Sequence, residues 1–219
     1  NNTTGSSNTA IGFNALYSNV GNSGTVAIGH NAMYYADNRT SGISTYNTAI
    51  GYEALKGSAT AANNTGTSNT TIVYQSLSLS TSGGGNLALG TTTMLANTSG
   101  ERNTALGTNS LQQNTTGSSN TAIGFQVLTN NTTGNNNHAL GFQALAANTS
   151  GNRNTAFGEA SLPRNTSGSD NVAIGVTALF RNTTADNNIA IGTQALGNSL
   201  TGSNNIAIGS QALTGNSTS

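Results

Sequence analysis

The sequence predicts an all-β fold, a parallel β-solenoid flattened into a roll, and three observations point to it. Twelve copies of one phrase run through the 219 residues, close to Asn-[Thr/Val/Ile]-Ala-Ile-Gly-x-x-Ala-Leu. The corner glycine of that phrase recurs at a fixed period, with Val73 standing once in its place. Of the eleven intervals from Gly12 to Gly209, nine are 17 residues and two are 22. A 17-residue unit is too short for a helical hairpin repeat, and a mid-unit glycine opposes a helix.

Each copy reads in order as follows. The β-branched phrase around Ala-Ile suits a short strand. Gly plus two residues makes a tight corner, because glycine accepts a positive φ. Ala-Leu suits a second short strand, so two parallel sheets are expected. The return through Asn-Thr-Thr-Gly is longer and uses turn residues. One unit is then one rung, and rungs stacked ~4.8 Å apart give a rod of roughly 53 Å. The whole chain, 1–219, is one array, expected to be a piece of a longer fibre. Its 30–73 region carries two five-residue turn insertions, around Tyr34 to Arg39 and Lys56 to Ala62.

Stacking brings equivalent letters into columns. An Asn column runs through Asn103, Asn120, Asn137, Asn154 and Asn171. Amides in such a column can bond up and down the stack. Neighbouring residues on a strand face opposite ways. Ile and Leu are the bulkier members of the Ala-Ile and Ala-Leu pairs, so they are assigned to the interior. The predicted core is Ile123, Leu128, Leu140, Leu145, Phe157, Leu162, Ile174 and Leu179. The Ala columns then face outward as a smooth surface free of charge. That surface, with so thin a core, leads us to expect a homo-oligomer, a trimer foremost, or fibre self-association.

The phrases starting at Asn120 and Asn171, Asn-Thr-Ala-Ile-Gly and Asn-Val-Ala-Ile-Gly, resemble the head repeats of trimeric autotransporter adhesins. They are also similar to β-roll repeats of phage tail fibres. The resemblance covers nearly all of the chain, although the repeat here is longer. It implies a left-handed roll, three associated chains and a place outside the cell, on a cell or virion surface.

Composition narrows the function classes. Six basic residues balance six acidic ones and only 5% of residues are charged. A nucleic-acid partner is not expected, since phosphate binding needs a basic footprint. No apolar run approaches the ~18 residues of a membrane helix, so membrane insertion of this segment is not expected. Cysteine is absent, which removes disulfides and thiolate metal ligands.

Side chains that could carry chemistry are few. The acids Asp37, Glu53, Glu101, Glu159, Asp170 and Asp186 are scattered; Arg153 is placed to form a surface ion pair with Asp170. His30 and His138 fall in different columns without a metal-ligand spacing. No catalytic residues, metal or cofactor are expected, and the chain is not expected to be an enzyme. Sequons at Asn97, Asn114, Asn131, Asn148, Asn165 and Asn182 recur every 17 residues and read as turn asparagines. Those at Asn38 and Asn63 are less crowded. Arg164 and Arg181 share a column on an edge. Phe13, Tyr52, Tyr74, Phe125 and Phe142 form a broken aromatic column, expected to pack.

The expected role is a structural segment of an extracellular fibre or adhesin that holds length and presents a surface for attachment. One alternative is a module that binds surface glycans or a receptor, with Tyr34, Tyr35 and Arg39 as candidate ligand contacts. Another is an ice-binding solenoid using the mixed column Thr121, His138, Thr155, Val172, Ile189 and Ile206.

Overall fold

The structure, a computed structural model, describes residues 2–36, 38 and 42–215. Twelve strands of three residues, from Thr9–Ile11 to Ile206–Ile208, make one parallel sheet in strict chain order. Pairing is in register with the sequence period. Val172, Ala173 and Ile174 lie beside Ile189, Ala190 and Ile191. Across a 22-residue interval Val26 still meets Thr48. The chain is therefore a β-solenoid of about twelve turns, and strand register holds across both 22-residue intervals.

Three ladders close each turn. The sheet is the first. The second runs along the Ala-Leu phrase, where the Leu145 N–H donates to Ser161 O at 3.0 Å and the Leu162 N–H to Ala178 O at 2.9 Å. The third follows the return, where the Thr115 N–H donates to Thr132 O and the Thr132 N–H to Thr149 O, both at 3.0 Å. Every side thus bonds to the rung above and below.

The expected second sheet is absent among the described residues. The Ala-Leu phrase is a run of turns in which left-handed residues recur. Gln143 and Leu145 have φ of 54° and 52°, and their equivalents Gln126 and Leu128 have 56° and 49°. That backbone does not alternate its side chains as a strand does. Ala144 and Leu145 therefore both point inward and both are fully buried. Leu128, Leu162 and Leu179 are buried with them in one continuous apolar cluster.

The sheet side corrects the sequence-based core. The strand alanines, Ala122, Ala139, Ala156 and Ala173, are the buried ones. Ile123 and Ile174 are only half-buried, while Leu140 and Phe157 are exposed by 46% and 40%. The reason is volume. The interior is filled from the opposite wall by the leucine column, which leaves room for a methyl group beneath each strand. With alanine inside, pleating sends its neighbours at both strand positions outward.

Buried asparagines carry the polar part of the interior. Asn137 is fully buried. Its Oδ1 accepts from the Asn154 backbone N–H at 3.0 Å and from Asn154 Nδ2 at 3.1 Å. Its Nδ2 donates to Gly151 O at 2.8 Å and to Asn120 Oδ1 at 3.2 Å. Equivalent bonds repeat along the column, so each side chain joins one rung to the next and closes the return turn of its own rung.

One rung breaks the pattern twice. Thr71 sits in the alanine column, fully buried, and its hydroxyl has no partner. Val73 holds the corner position at φ 98°, where the other rungs have glycine. A buried unsatisfied hydroxyl costs ~1–3 kcal/mol, and a β-branched residue held in such a conformation costs ~1–3 kcal/mol. The double change Thr71→Ala and Val73→Gly should raise the unfolding free energy by ~2–4 kcal/mol. Thermal unfolding checks it: the variant should melt several degrees above the parent.

Candidate functional surfaces

The outer face of the sheet is the first surface. Two columns cover it, with the strand's first residue on one side and its third on the other. The third-residue column is apolar throughout, from Ile11 to Ile208. The first-residue column mixes Thr, Val, Ile, Leu and His, and Thr121, His138, Thr155, Val172, Ile189 and Ile206 lie in it. Strands three residues wide and ~4.8 Å apart give a stripe about 50 Å long and 10 Å wide, roughly 500 Å². The continuous apolar part of that face is the third-residue column, because six threonines and His138 interrupt the first-residue column. The smooth alanine surface expected on the sheet's outside does not exist, because those alanines are the interior.

The second surface lies just past the glycine corner. Phe13, His30, Tyr52 and Tyr74 stack in one line, with ring centroids 5.3, 5.1 and 5.3 Å apart. His30 fills a gap that a search for Phe and Tyr leaves open. Phe125 and Phe142 continue the column further along at 5.9 Å. Stacking covers the ring faces, yet the outer edges are open, and Phe13 is 70% exposed. The rings thus cover one another's faces but are not buried as expected, since Tyr52, Tyr74, Phe125 and Phe142 are exposed as well.

A second aromatic column runs parallel to it. Tyr17 and Tyr34 stack at 5.0 Å, and Tyr35 meets Tyr34 edge-on at 4.6 Å. The second insertion supports this corner. Its 3-10 turn, Ala61–Asn63, is followed by Asn64, whose side chain accepts from the Ser58 N–H at 2.9 Å and donates to Ser58 O and to Tyr35 O. Tyr34 and Tyr35 are therefore placed together on a fixed turn. Arg39, named with them from the sequence, lies outside the described residues, as does Asp37.

Between the two aromatic columns runs a floor of polar side chains. Asn14 Nδ2 donates to Asn31 Oδ1 at 3.3 Å, and Gln75 Nε2 donates to Glu53 Oε2 at 2.8 Å. Lys56 Nζ donates to Glu53 Oε1 at 2.8 Å. Burial pushes the Glu53 carboxyl up, but its bonds with Lys56, Gln75 and Asn31 together outweigh that and hold it below the usual range. The bond to Glu53 in turn holds the Lys56 ammonium above its usual range.

The remaining charged groups are dispersed. Arg153 pairs with Asp170 through two bonds of 2.6 and 2.7 Å, the surface pair expected from their 17-residue spacing. That fork lowers the Asp170 pKa. Asp186 accepts from the Ser169 N–H at 2.7 Å. Arg164 lies over the Phe180 ring at 4.8 Å and so has an aromatic partner on the edge it shares with Arg181. Among the described residues no three His, Cys, Asp or Glu side chains gather as metal ligands. No helix there is long and apolar enough to cross a membrane.

The recurrent sequons acquire a definite place. Asn97, Asn114, Asn131, Asn148, Asn165 and Asn182 are all fully buried. They form a second amide ladder, with Asn114 Nδ2 donating to Asn97 Oδ1 and Asn131 Nδ2 to Asn114 Oδ1, both at 2.7 Å. A glycan on any of them requires that ladder to open. Asn38 and Asn63 are exposed. No family model, curated protein or solved structure matches this chain.

Proposed function

We propose that this rod is a length-holding segment of an extracellular fibre or adhesin, built from three copies that cover one another's apolar sheet faces. The observation that carries the reading is the unbroken apolar column along the sheet. A ridge two residues wide suits a threefold axis, where each chain contributes its stripe to a shared seam. The ladder bonding on all three sides supports the mechanical part. A pull along the rod axis loads many parallel hydrogen bonds and amide bridges.

The test is to place charge on the stripe. Leu140→Lys, Phe157→Lys and Ile174→Lys together leave the interior untouched, because the buried partners are the alanines. The triple variant should keep its circular dichroism spectrum and sediment as a single chain of 21.9 kDa, whereas the parent sediments as a multiple of that mass. Unchanged sedimentation of the variant would remove the sheet face from the assembly. The ice-binding alternative uses the same face, and its column mixes His138 and Leu87 with threonines, which breaks the regular hydroxyl array such a surface needs.

A further inference from the structure

We propose that the groove between the two aromatic columns binds a neutral, extended β-linked polysaccharide lying along the rod. Its walls are the edges of Phe13 and His30 on one side and Tyr34 with Tyr35 on the other, and Asn14 and Asn31 form its floor. The space is about 210 Å³. That is below the ~300–1,000 Å³ that encloses a drug-sized ligand, and it suits a chain laid into a trough. A separate depression of about 420 Å³ near the other end has a single aromatic side chain, Phe180, beside Gln194 and Gln211.

The chemistry of the groove selects the class. Aromatic edges carry positive potential and meet hydroxyl oxygens well. An asparagine amide has two donors and a two-lone-pair acceptor, and the bond to Asn31 uses one Asn14 donor. Both walls and floor thus suit a ligand rich in hydroxyls. Charge is the second criterion. Among the described residues lining this groove the Lys or Arg side chain is Lys56, and it is held by Glu53 at 2.8 Å, so its charge is already matched.

Spacing is the third. Successive rings along the walls stand 5.0 to 5.3 Å apart. An extended peptide advances ~3.3 Å per residue and falls out of step with them. One pyranose unit with its glycosidic oxygen advances by roughly one rung, so successive sugars of an equatorially linked chain, alternately turned over, keep step with the ring edges and amides. The groove sits on the corner, apart from the sheet face, and this inference stands independently of the assembly proposed above.

Titration of the intact chain with cello-oligosaccharides of one to six glucose units, followed by tyrosine fluorescence and by NMR shifts of His30, tests it. Binding should tighten about tenfold or more from one unit to four. Tyr34→Ala and Phe13→Ala should each weaken the four-unit ligand by about tenfold. Phe125→Ala, remote along the same column, should leave it unchanged. Phe13 is exposed, so its variant folds and carries the test even if Tyr34→Ala does not. Affinity independent of chain length, retention in Phe13→Ala, no saturation with any oligomer, or tighter binding of polygalacturonate or an extended peptide would each overturn the proposal.

Discussion

Replacement of Asn137 by Asp lowers the unfolding free energy at neutral pH by ~3–5 kcal/mol, the range for a buried charge left without a partner. The two side chains have nearly the same shape, so the effect isolates hydrogen-bond direction. A carboxylate still accepts from the Asn154 N–H and Nδ2. It no longer donates to Gly151 O or to Asn120 Oδ1, and it sets acceptor against acceptor at both contacts. Protonation restores one donor. Burial raises the folded pKa of the new carboxyl above its unfolded value of ~3.9. The variant is therefore most stable below that unfolded value and loses stability as pH climbs towards the folded pKa. Thermal melts should show a large deficit against the parent at pH 7 that narrows at pH 4. A deficit that ignores pH, or none at all, would mean that the ladder does not depend on its donors.

Ala156→Leu has the second large effect, set against a small one at the next residue. Ala156 is fully buried between Ala139 and Ala173, facing the leucine column across the interior. Rungs on both sides are fixed by backbone ladders at ~4.8 Å, so the column cannot spread to admit a larger side chain. Overpacking of this kind costs ~3 kcal/mol. Phe157→Ala removes a ring that is 40% exposed in the single chain and should cost that chain less than ~1 kcal/mol. Denaturant unfolding of the two variants under conditions that keep chains apart compares them directly. If Phe157→Ala is the damaging change and Ala156→Leu the mild one, the inside and outside of the sheet have been exchanged.

Much of the fold was legible in the sequence, and the two failures have different causes. The 17-residue period sets the register, and even the 22-residue intervals and the displaced corner glycine at Val73 can be read from it. The facing of Ala-Ile cannot be read from bulk alone, because that choice assumed a wide gap between two sheets. The columns themselves held a better signal. The strand alanine position admits only Ala and, at Thr71, Thr, whereas its neighbour accepts Ile, Leu and Phe157. A position that tolerates a phenylalanine ring in a repeat of fixed rise is not limited by interior space. The second sheet failed for another reason. Leucine in a left-handed conformation is uncommon, so a run such as Gln143-Ala144-Leu145 reads as extended until its φ values are seen.

The surfaces were legible in part. Tyr34 and Tyr35 stood out through their place in an insertion, but their partner Tyr17 and the stacked His30 belong to columns of mixed letters. A column of identical residues is easy to find, and one held together by ring shape is not. The glycosylation motifs show the reverse problem. Asn97 and its equivalents look accessible as turn asparagines, although their amides are sealed inside the return turn by bonds to the rungs beside them.

Sedimentation equilibrium of the unmodified chain, diluted through the micromolar range, addresses the proposed assembly most directly. A seam of three apolar stripes gives three times 21.9 kDa, falling towards one chain only at the lowest concentrations. A mass of one chain at every concentration would mean that the exposed isoleucine, leucine and phenylalanine column meets water alone, and the fibre assembled from these faces would have to be abandoned.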